Sequence, residues 1–88
     1  MADEVKAKFD ESAKAIAQLG GGVPDKDMGE LYGLYKQAIC GDCTAPSPPV
    51  YRIKNTRKWR AWMSKMGLTS EEAMSLYSHC AEGVLANL

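Results

Sequence analysis

The sequence predicts an all-α protein, a single domain of four helices joined by short turns and one long crossover. Apolar residues recur at steps of three and four in four separate stretches, which is the period of an amphipathic helix. Glycine or proline separates these stretches, and none of them is a strand candidate. Helices without strands pack as a bundle around one core, and 88 residues suffice for one domain spanning residues 1–88.

The first two helices are bounded by glycine and proline. An apolar stripe predicts a first helix from about Asp3 to Leu19, and the glycine triplet at 20–22 ends it because glycine takes the left-handed cap conformation without steric cost. Asp25 is predicted to be the N-cap of the second helix, which ends at Gly41. The first two helices should therefore be joined by a short glycine-rich turn.

The long crossover follows the second helix. Residues 42–54 contain three prolines, which remove backbone donors and fix φ, so this segment is predicted to be extended or irregular. It is long enough to let the third helix, predicted over about 55–66, run parallel to the second. Gly67 closes that helix, and the spacing of Thr69 and Glu72 predicts a capping box that opens the fourth.

No feature of the chain indicates export, membrane insertion or metal binding. The apolar runs are far too short for a membrane span, and the first residues lack a secretory signal, so a cytoplasmic location is expected. Cys40 and Cys43 fall at a helix C-terminus, where the dipole disfavours a thiolate. His79 and Cys80 point about 100° apart on a helix and could not easily join them on one zinc ion. We expect three structural thiols that behave as small buried apolar side chains.

Charge is distributed unevenly along a neutral chain. Residues 43–70 carry six basic side chains and no acid, while residues 1–42 carry five against eight acids and residues 71–88 carry none against three. Zero net charge argues against a protein that binds polyanions through bulk positive charge. The local excess suits a site for one small anion, and it fits a solvated basic surface equally well.

Three residues of the second helix suggest a nucleotide site. Tyr32, Tyr35 and Lys36 stand at i, i+3 and i+4, so two phenols and an ammonium project from one side of the helix. Such a face can stack on a base and bind a phosphate. Taken alone, the same spacing is more typical of a core-facing tyrosine pair beside a solvated lysine. Tyr77 of the fourth helix has the same two possibilities, core packing or ligand contact.

A second basic cluster falls at the start of the third helix. Lys54, Arg57 and Lys58 also stand at i, i+3 and i+4, so their charges share one face if this helix begins early. Trp59 and Trp62 would then lie on the opposite side, as part of the core or the floor of a groove. Catalytic groups are not evident, since the lone histidine has no triad partner and the carboxylates show no paired arrangement. An enzyme is therefore not expected.

Several motifs together resemble the acyl-CoA-binding protein family. Tyr-x-x-Tyr-Lys-Gln-Ala-x-x-Gly-Asp at 32–42, Lys-Trp-x-Ala-Trp at 58–62, Ala73-Met74 and Tyr77 occur in the family's order over nearly the whole chain. The resemblance implies an up-down-down-up four-helix bundle with one long crossover. It also implies a monomeric, non-catalytic carrier that binds medium- to long-chain acyl-CoA esters, forms a pool of them and delivers them to lipid-metabolising enzymes, without a cofactor or a metal.

The resemblance also implies a set of ligand-binding residues. Tyr35 would stack on adenine, the ribose 3′-phosphate would be bound by three further residues, and the acyl chain would lie in an apolar groove. The full implied set is Tyr32, Tyr35, Lys36, Lys54, Lys58 and Tyr77. The chain departs from the family in having Ala17 and Gly20–Gly22 where lysines are frequent, and in its proline-rich crossover.

Two other functions remain open at the level of the sequence. A small helical nucleic-acid-binding module could use the basic segment 52–65, but zero net charge and the absence of a known reading motif weigh against it. A helical protein-interaction module is the second alternative. The preferred interpretation expects acyl-CoA as the partner, acyl-CoA-using enzymes as possible further partners, no nucleic acid and no stable membrane insertion.

Overall fold

A computed structural model of the protein describes residues 2–87, which form four α-helices. They are α1 (Ala2–Gln18), α2 (Asp25–Cys40), α3 (Ile53–Met63) and α4 (Ser70–Ala86), and no strand occurs among these residues. The predicted all-α class is therefore confirmed. None of the helices in the described part is long and apolar enough to cross a membrane. The terminal residues Met1 and Leu88 of the predicted single domain lie outside the described range.

The start of α2 differs from the prediction. Asp25 is the first residue of the helix, and Pro24 precedes it as the N-cap with no side-chain cap hydrogen bond. The N–H of Met28 donates to the Pro24 carbonyl oxygen at 2.9 Å, which begins the helical ladder one residue earlier than expected. The prediction of Asp25 as N-cap was wrong, because proline needs no N–H at this position and its extended backbone already leads into the helix. The Asp25 carboxylate still lies at the positive end of the α2 dipole.

The bounds of α3 also differ from the predicted 55–66. The N–H of Thr56 donates to the Arg52 carbonyl at 2.9 Å, so the helix begins at Ile53. Beyond Met63 the backbone hydrogen bonds change from i→i−4 to i→i−3 spacing. For example, the N–H of Lys65 donates to the Trp62 carbonyl oxygen at 3.0 Å. This turn continues the chain into Gly67, whose φ is 93°. The predicted end was wrong because a tightened turn has helix-like periodicity in sequence.

The capping box at the start of α4 is confirmed. The Thr69 hydroxyl accepts from the Glu72 N–H at 3.1 Å, and the Thr69 N–H donates to the Glu72 carboxylate at 3.1 Å. Two backbone donors that the helix cannot satisfy are thus satisfied reciprocally. The sequence therefore fixes this helix start through two residues.

The helices lie side by side in the order α1, α4, α2, α3. α4 contacts both α1 and α2, and α3 contacts α2, in a body of 38 × 28 × 15 Å. Tyr32 contacts Lys58, and four residues later in both helices Lys36 contacts Trp62. Because residue numbers rise in the same direction along both helices, α2 and α3 are parallel. α2 and α4 are antiparallel, because Gln37 near the end of α2 bonds to Leu68 just before α4. The implied up-down-down-up connectivity is confirmed.

The core is built by three of the four helices. Its buried members are Phe9 and Ile16 of α1, Leu31, Leu34 and Ala38 of α2, and Ala73, Tyr77, Ala81 and Val84 of α4. α3 contributes no buried residue. Because apolar burial is the main stabilising term in a small domain, α3 must be held against α2 by other contacts.

A glycine allows α3 to approach α2 closely. A Cβ placed on Gly33 would clash with the Ala61 carbonyl, whose carbon would lie only 2.8 Å away, and would meet the side chain of Lys65 at 3.2 Å. Lys65, in the turn that follows α3, also forms an ion pair with Glu30 of α2. The absence of a side chain at 33 therefore sets the distance between the two helices.

Two tryptophans tie the crossover to α3. The indole N–H of Trp59 donates to the Ala45 carbonyl at 2.8 Å, and that of Trp62 donates to the Gly41 carbonyl at 2.8 Å. Both side chains are half-buried. These bonds give a proline-rich segment, which can make few backbone bonds of its own, fixed partners on the neighbouring helix.

Asp42 joins the end of α2 to the turn before α4. Its carboxylate accepts from the Gly67 N–H at 2.9 Å and from the side chain of Gln37 at 2.8 Å. These hydrogen bonds hold the pKa of the Asp42 carboxyl below its usual range, and the bond from Gly67 has the larger effect. Gln37 is fully buried and also donates to the Leu68 carbonyl at 2.9 Å, so three segments meet at this point.

This arrangement predicts how stability changes in acid. Because the folded protein lowers the pKa of Asp42, its stabilising contribution is complete above the unfolded-state pKa of about 4 and is lost as the pH falls through the folded value. Asp42→Asn should therefore be less stable than the parent protein at neutral pH, and the difference should shrink towards about pH 2. Chemical denaturation across this range is the measurement. Asp42→Ala, which removes the acceptor as well, should be the less stable variant at every pH. If the free energy of unfolding fell equally with pH in the parent protein and in Asp42→Asn, the role of the ionised Asp42 carboxylate would be contradicted.

Candidate ligand-binding site

A surface pocket of about 200 Å³ lies between the parallel helices α2 and α3. Its α2 wall is formed by the first two turns of that helix, and its α3 wall by a basic stripe. The lining residues are Asp25, Met28, Gly29 and Tyr32 of α2 and Lys54, Arg57, Lys58 and Ala61 of α3. Small residues at 29 and 61 leave the space open, since a Cβ at Gly29 would meet no atom within 4 Å.

The basic stripe depends on where α3 begins. Because the helix starts at Ile53, Lys54, Arg57 and Lys58 are all helical and all line the pocket. The prediction that an early start would place their charges on one face is confirmed. Asp25 is the one acidic residue of the lining, so the pocket is cationic and suits an anionic ligand.

Two cation–π contacts join α2 and α3 along the line where the helices meet, which we call the α2–α3 seam, and each helix contributes the lysine of one contact and the aromatic ring of the other. The Lys58 ammonium lies 5.6 Å from the centroid of the Tyr32 ring, and one turn further along the Lys36 ammonium lies 4.8 Å from the Trp62 ring. Such contacts hold a lysine near an aromatic face while leaving its N–H donors available to an anion. Lys36 does not line the pocket itself but lies beside it on the same seam.

Tyr35 belongs to a different neighbourhood from Tyr32. Its ring stacks on Phe9 of α1 with centroids 5.6 Å apart and approaches Tyr77 of α4 at 6.1 Å. Tyr35 is 38% exposed, so part of its ring faces solvent. The expected common face of Tyr32, Tyr35 and Lys36 is therefore divided. A step of three residues leaves Tyr35 about 60° around the helix axis from Tyr32, so Tyr35 meets α1 and α4 while Tyr32 and Lys36 meet α3.

Tyr77 lies in the core. It is 4% exposed and makes an edge-to-face contact with Phe9 at 5.1 Å. Burial, with smaller contributions from Tyr35 and Cys80, raises the pKa of its phenol above the ordinary value. Of the two possibilities left open by the sequence, the observed contacts are those of core packing.

The structure thus brings together Tyr32, Lys54 and Lys58 in one pocket, with Lys36 adjacent, and places Tyr35 and Tyr77 around Phe9. Sequence reasoning did not assign Gly29 and Ala61 to the site, nor Phe9 as the support of Tyr35. The small residues at 29 and 61 carry a signal, since they fall on the helix faces of Tyr32 and Lys58. Phe9 carries none, because its partner is set by packing between helices.

The cysteines are distributed over separate sites. Cys43 is buried and Cys80 is half-buried, but Cys40 is exposed, so the expectation of three buried thiols was wrong for Cys40. Cys40 ends α2 on its outer side, and the residues of the core stripe precede it. Burial and the nearby carboxylates of Glu30 and Asp27 raise the pKa of Cys80. Among residues 2–87, no three His, Cys, Asp or Glu side chains gather where they could hold one metal ion.

Comparison with known proteins places this chain in a family. The family model described as acyl CoA binding protein matches residues 6–81 of the chain. The chain belongs to the acyl-CoA-binding protein family. The resemblance inferred from the motifs at 32–42 and 58–62 is therefore confirmed.

Individual members of the acyl-CoA-binding protein family are similar to this chain over most of its length. The chain is 35% identical over 82 residues to "Acyl-CoA-binding protein 2" of Saccharomyces pastorianus, covering 93% of this chain and 94% of the relative. It is 38% identical over 73 residues to the "Acyl-CoA-binding protein" of Brassica napus, covering 83% and 79% respectively. The fold is similar to the crystal structure of Oryza sativa Acyl-CoA-Binding Protein 2, with a TM-score of 0.88 and 34% identity over 94% of this chain and 92% of that one.

Proposed function

We propose that this protein is a non-catalytic carrier that binds a medium- to long-chain acyl-CoA ester at the α2–α3 seam. The observation that carries the proposal is the pocket in which three basic side chains of α3 face Tyr32 of α2, in a chain of the acyl-CoA-binding protein family. The carrier would act as a monomer in the cytoplasm, hold a pool of esters and release them to lipid-metabolising enzymes.

The polar part of the ligand is assigned to the basic end of the pocket. Lys54 and Lys58 line it and Lys36 lies one turn away on the same seam, so three ammonium groups can bind the ribose 3′-phosphate and the pyrophosphate. The Tyr32 phenol can donate to a phosphate oxygen from the opposite wall. These assignments follow from charge and position.

The adenine is assigned to Tyr35. One side of its ring is supported by Phe9 and the ring is partly exposed, which makes a fixed platform for a base. Tyr77 packs behind this pair and is assigned a positioning role, since little of its surface is accessible.

The acyl chain is assigned to the apolar side of the pocket around Met28. This side chain is 45% exposed and lines both the α2–α3 pocket and a second cavity of about 300 Å³. The second cavity is formed by Ile16, Ala17, Gly20, Gly21 and Val23 at the turn between α1 and α2. An apolar chain that passes over Met28 would remove surface from water in both places.

Native mass spectrometry of the purified protein incubated with a mixture of acyl-CoA, free fatty acid and free CoA tests the function. We expect a bound species whose added mass equals one acyl-CoA, retained in preference to free fatty acid and free CoA. A protein that keeps its bare mass under these conditions would contradict the carrier proposal.

Substituting Gly29 should test the location of the site. Gly29→Leu places a side chain into the pocket, where a Cβ meets no atom within 4 Å, so the variant should fold and lose ligand affinity. Gly83→Leu on α4 is the matched control, because a Cβ there also meets nothing and the residue lies outside the pocket. Calorimetric titration of both variants measures the affinities, and thermal unfolding verifies that they fold. Equal affinities would place the ligand elsewhere.

Substituting Tyr35 should test the adenine assignment. Tyr35→Ala removes the stacking surface and should weaken binding by about 1–3 kcal/mol, whereas Tyr35→Phe keeps the ring and should cost much less. Because Tyr35 also packs on Phe9, the free energy of unfolding of each variant is measured with its affinity. Equal losses of affinity for Phe and Ala would move the role from the ring to the hydroxyl.

A further inference from the structure

The turn that leads from the crossover into α3 exposes three large apolar side chains. Val50 is 85% exposed, Tyr51 76% and Ile53 62%, which are the highest values among the exposed large apolar residues of the described chain. Single exposed apolar residues are ordinary on protein surfaces, but three within four positions concentrate exposed apolar area in one short segment. We refer to residues 49–54 as the exposed turn.

The exposed turn is held in shape by its own backbone. The Arg52 N–H donates to the Pro49 carbonyl at 3.0 Å, and the Thr56 N–H donates to the Arg52 carbonyl at 2.9 Å. The proline restricts φ, and the Trp59 indole fixes the preceding segment at Ala45. The apolar side chains are therefore presented outward by a rigid segment, and little conformational entropy is lost when they bind a partner.

The charged residues of the exposed turn and of the segment that contains it are all positive. Arg52 lies between Tyr51 and Ile53 in sequence, Lys54 and Arg57 follow on the first turns of α3, and all three basic side chains are exposed. No acidic residue occurs from 43 to 70. Apolar and aromatic side chains beside arginine and lysine are the combination that enters the interface of a membrane whose surface is anionic.

We propose that the exposed turn docks the protein reversibly on anionic phospholipid surfaces. Val50, Tyr51 and Ile53 enter the headgroup region, while Arg52 and Lys54 face lipid phosphates and carboxylates. A second copy of the chain is a poorer occupant, because a two-fold contact through this patch would set the same cations against each other. One turn is a small anchor, so the docking is peripheral, and no described helix is suited to cross the bilayer.

Docking does not require a bound ligand, so it stands apart from the proposed carrier function. Lys54 belongs to both the exposed turn and the pocket lining, which places the pocket next to the docked surface. A carrier docked in this way would take up an ester directly at a membrane.

Vesicle sedimentation of the full chain without ligand tests the proposal. The probes are vesicles of phosphatidylcholine alone and of phosphatidylcholine mixed with phosphatidylserine. We expect the protein to sediment with the mixed vesicles, less with the neutral ones, and to be released by added salt. Arg52→Gln should weaken binding to the mixed vesicles about fivefold, the effect of removing one cation near an anionic surface. Ile53→Ser should weaken binding to both kinds of vesicle several-fold.

Two matched variants control for general effects of the substitutions. Ile39→Ser changes an isoleucine of similar exposure, 52%, at the end of α2, and Lys14→Gln removes an exposed cation on α1. Both should bind vesicles as the parent protein does. The proposal is overturned if the parent protein binds neither kind of vesicle. It is also overturned if Ile53→Ser binds vesicles as tightly as Ile39→Ser does and Arg52→Gln as tightly as Lys14→Gln does. It is also overturned if Ile53→Ser lowers acyl-CoA affinity and leaves vesicle binding unchanged, since the turn would then belong to the ligand site.

Discussion

Gly33→Ala should destabilise the protein and separate α3 from α2. The added methyl group would collide with the Ala61 backbone carbonyl, which cannot move aside as a flexible side chain would. Overpacking of this kind costs about 1–3 kcal/mol, so the melting temperature should fall by roughly 5–20 °C. Because α3 has no residue in the core, the loss should fall mainly on the α2–α3 contact and thereby on the pocket. Thermal unfolding and ligand titration are the two measurements.

Gly83→Ala provides the control for this prediction. It replaces a helical glycine where a Cβ meets no atom within 4 Å, and the better helix propensity of alanine should leave stability unchanged or raise it by up to about 1 kcal/mol. If Gly33→Ala were as stable as Gly83→Ala, the close approach at Gly33 would not set the spacing of the two helices.

Loss of the ribose 3′-phosphate should be the largest change on the ligand side. An acyl-dephospho-CoA, which lacks this group, should bind at least about tenfold more weakly than the parent ester, because each charge-assisted contact contributes about 1.5–3 kcal/mol. Lys58→Ala should weaken binding of the parent ester by a similar amount and affect the dephospho ligand little. Lys36→Ala should act in the same direction. Titrations of both ligands into each variant measure the coupling.

Arg60→Ala is the matched control on the same helix. Arg60 is exposed and lines an adjoining cavity between the same helices, but not the pocket of Tyr32, Lys54 and Lys58. Its loss therefore removes one positive charge from α3 and no residue of the proposed phosphate site. Its effect on affinity should be small and should disappear in added salt. If the intact and dephospho ligands bound the parent protein equally well, the assignment of Lys36 and Lys58 to that phosphate would be wrong.

Local features of the structure could be predicted from the sequence because they depend on neighbours along one helix. The shared face of Lys54, Arg57 and Lys58 follows from spacing alone, and so does the capping box of Thr69 and Glu72. Helix ends were less predictable, since tightened turns and a proline N-cap resemble helix or loop in sequence.

Features that depend on packing between helices could not be predicted in the same way. Gly33 reads as an ordinary helical glycine until Ala61 is placed beside it. The division of Tyr32 from Tyr35 likewise depends on α3 lying on one side of α2 and α1 and α4 on the other. The motifs therefore indicated the residues of the candidate site, while their grouping required the arrangement of the helices.

A calorimetric titration of the parent protein with a long-chain acyl-CoA, alongside free CoA and the free fatty acid, tests the central claim most directly. We predict saturable binding of the ester at a single site per chain, with both fragments bound far more weakly, because the cationic pocket and the apolar surface around Met28 each recognise only part of the ester. Absence of saturable binding, or equal affinity for the ester and either fragment, would contradict the account.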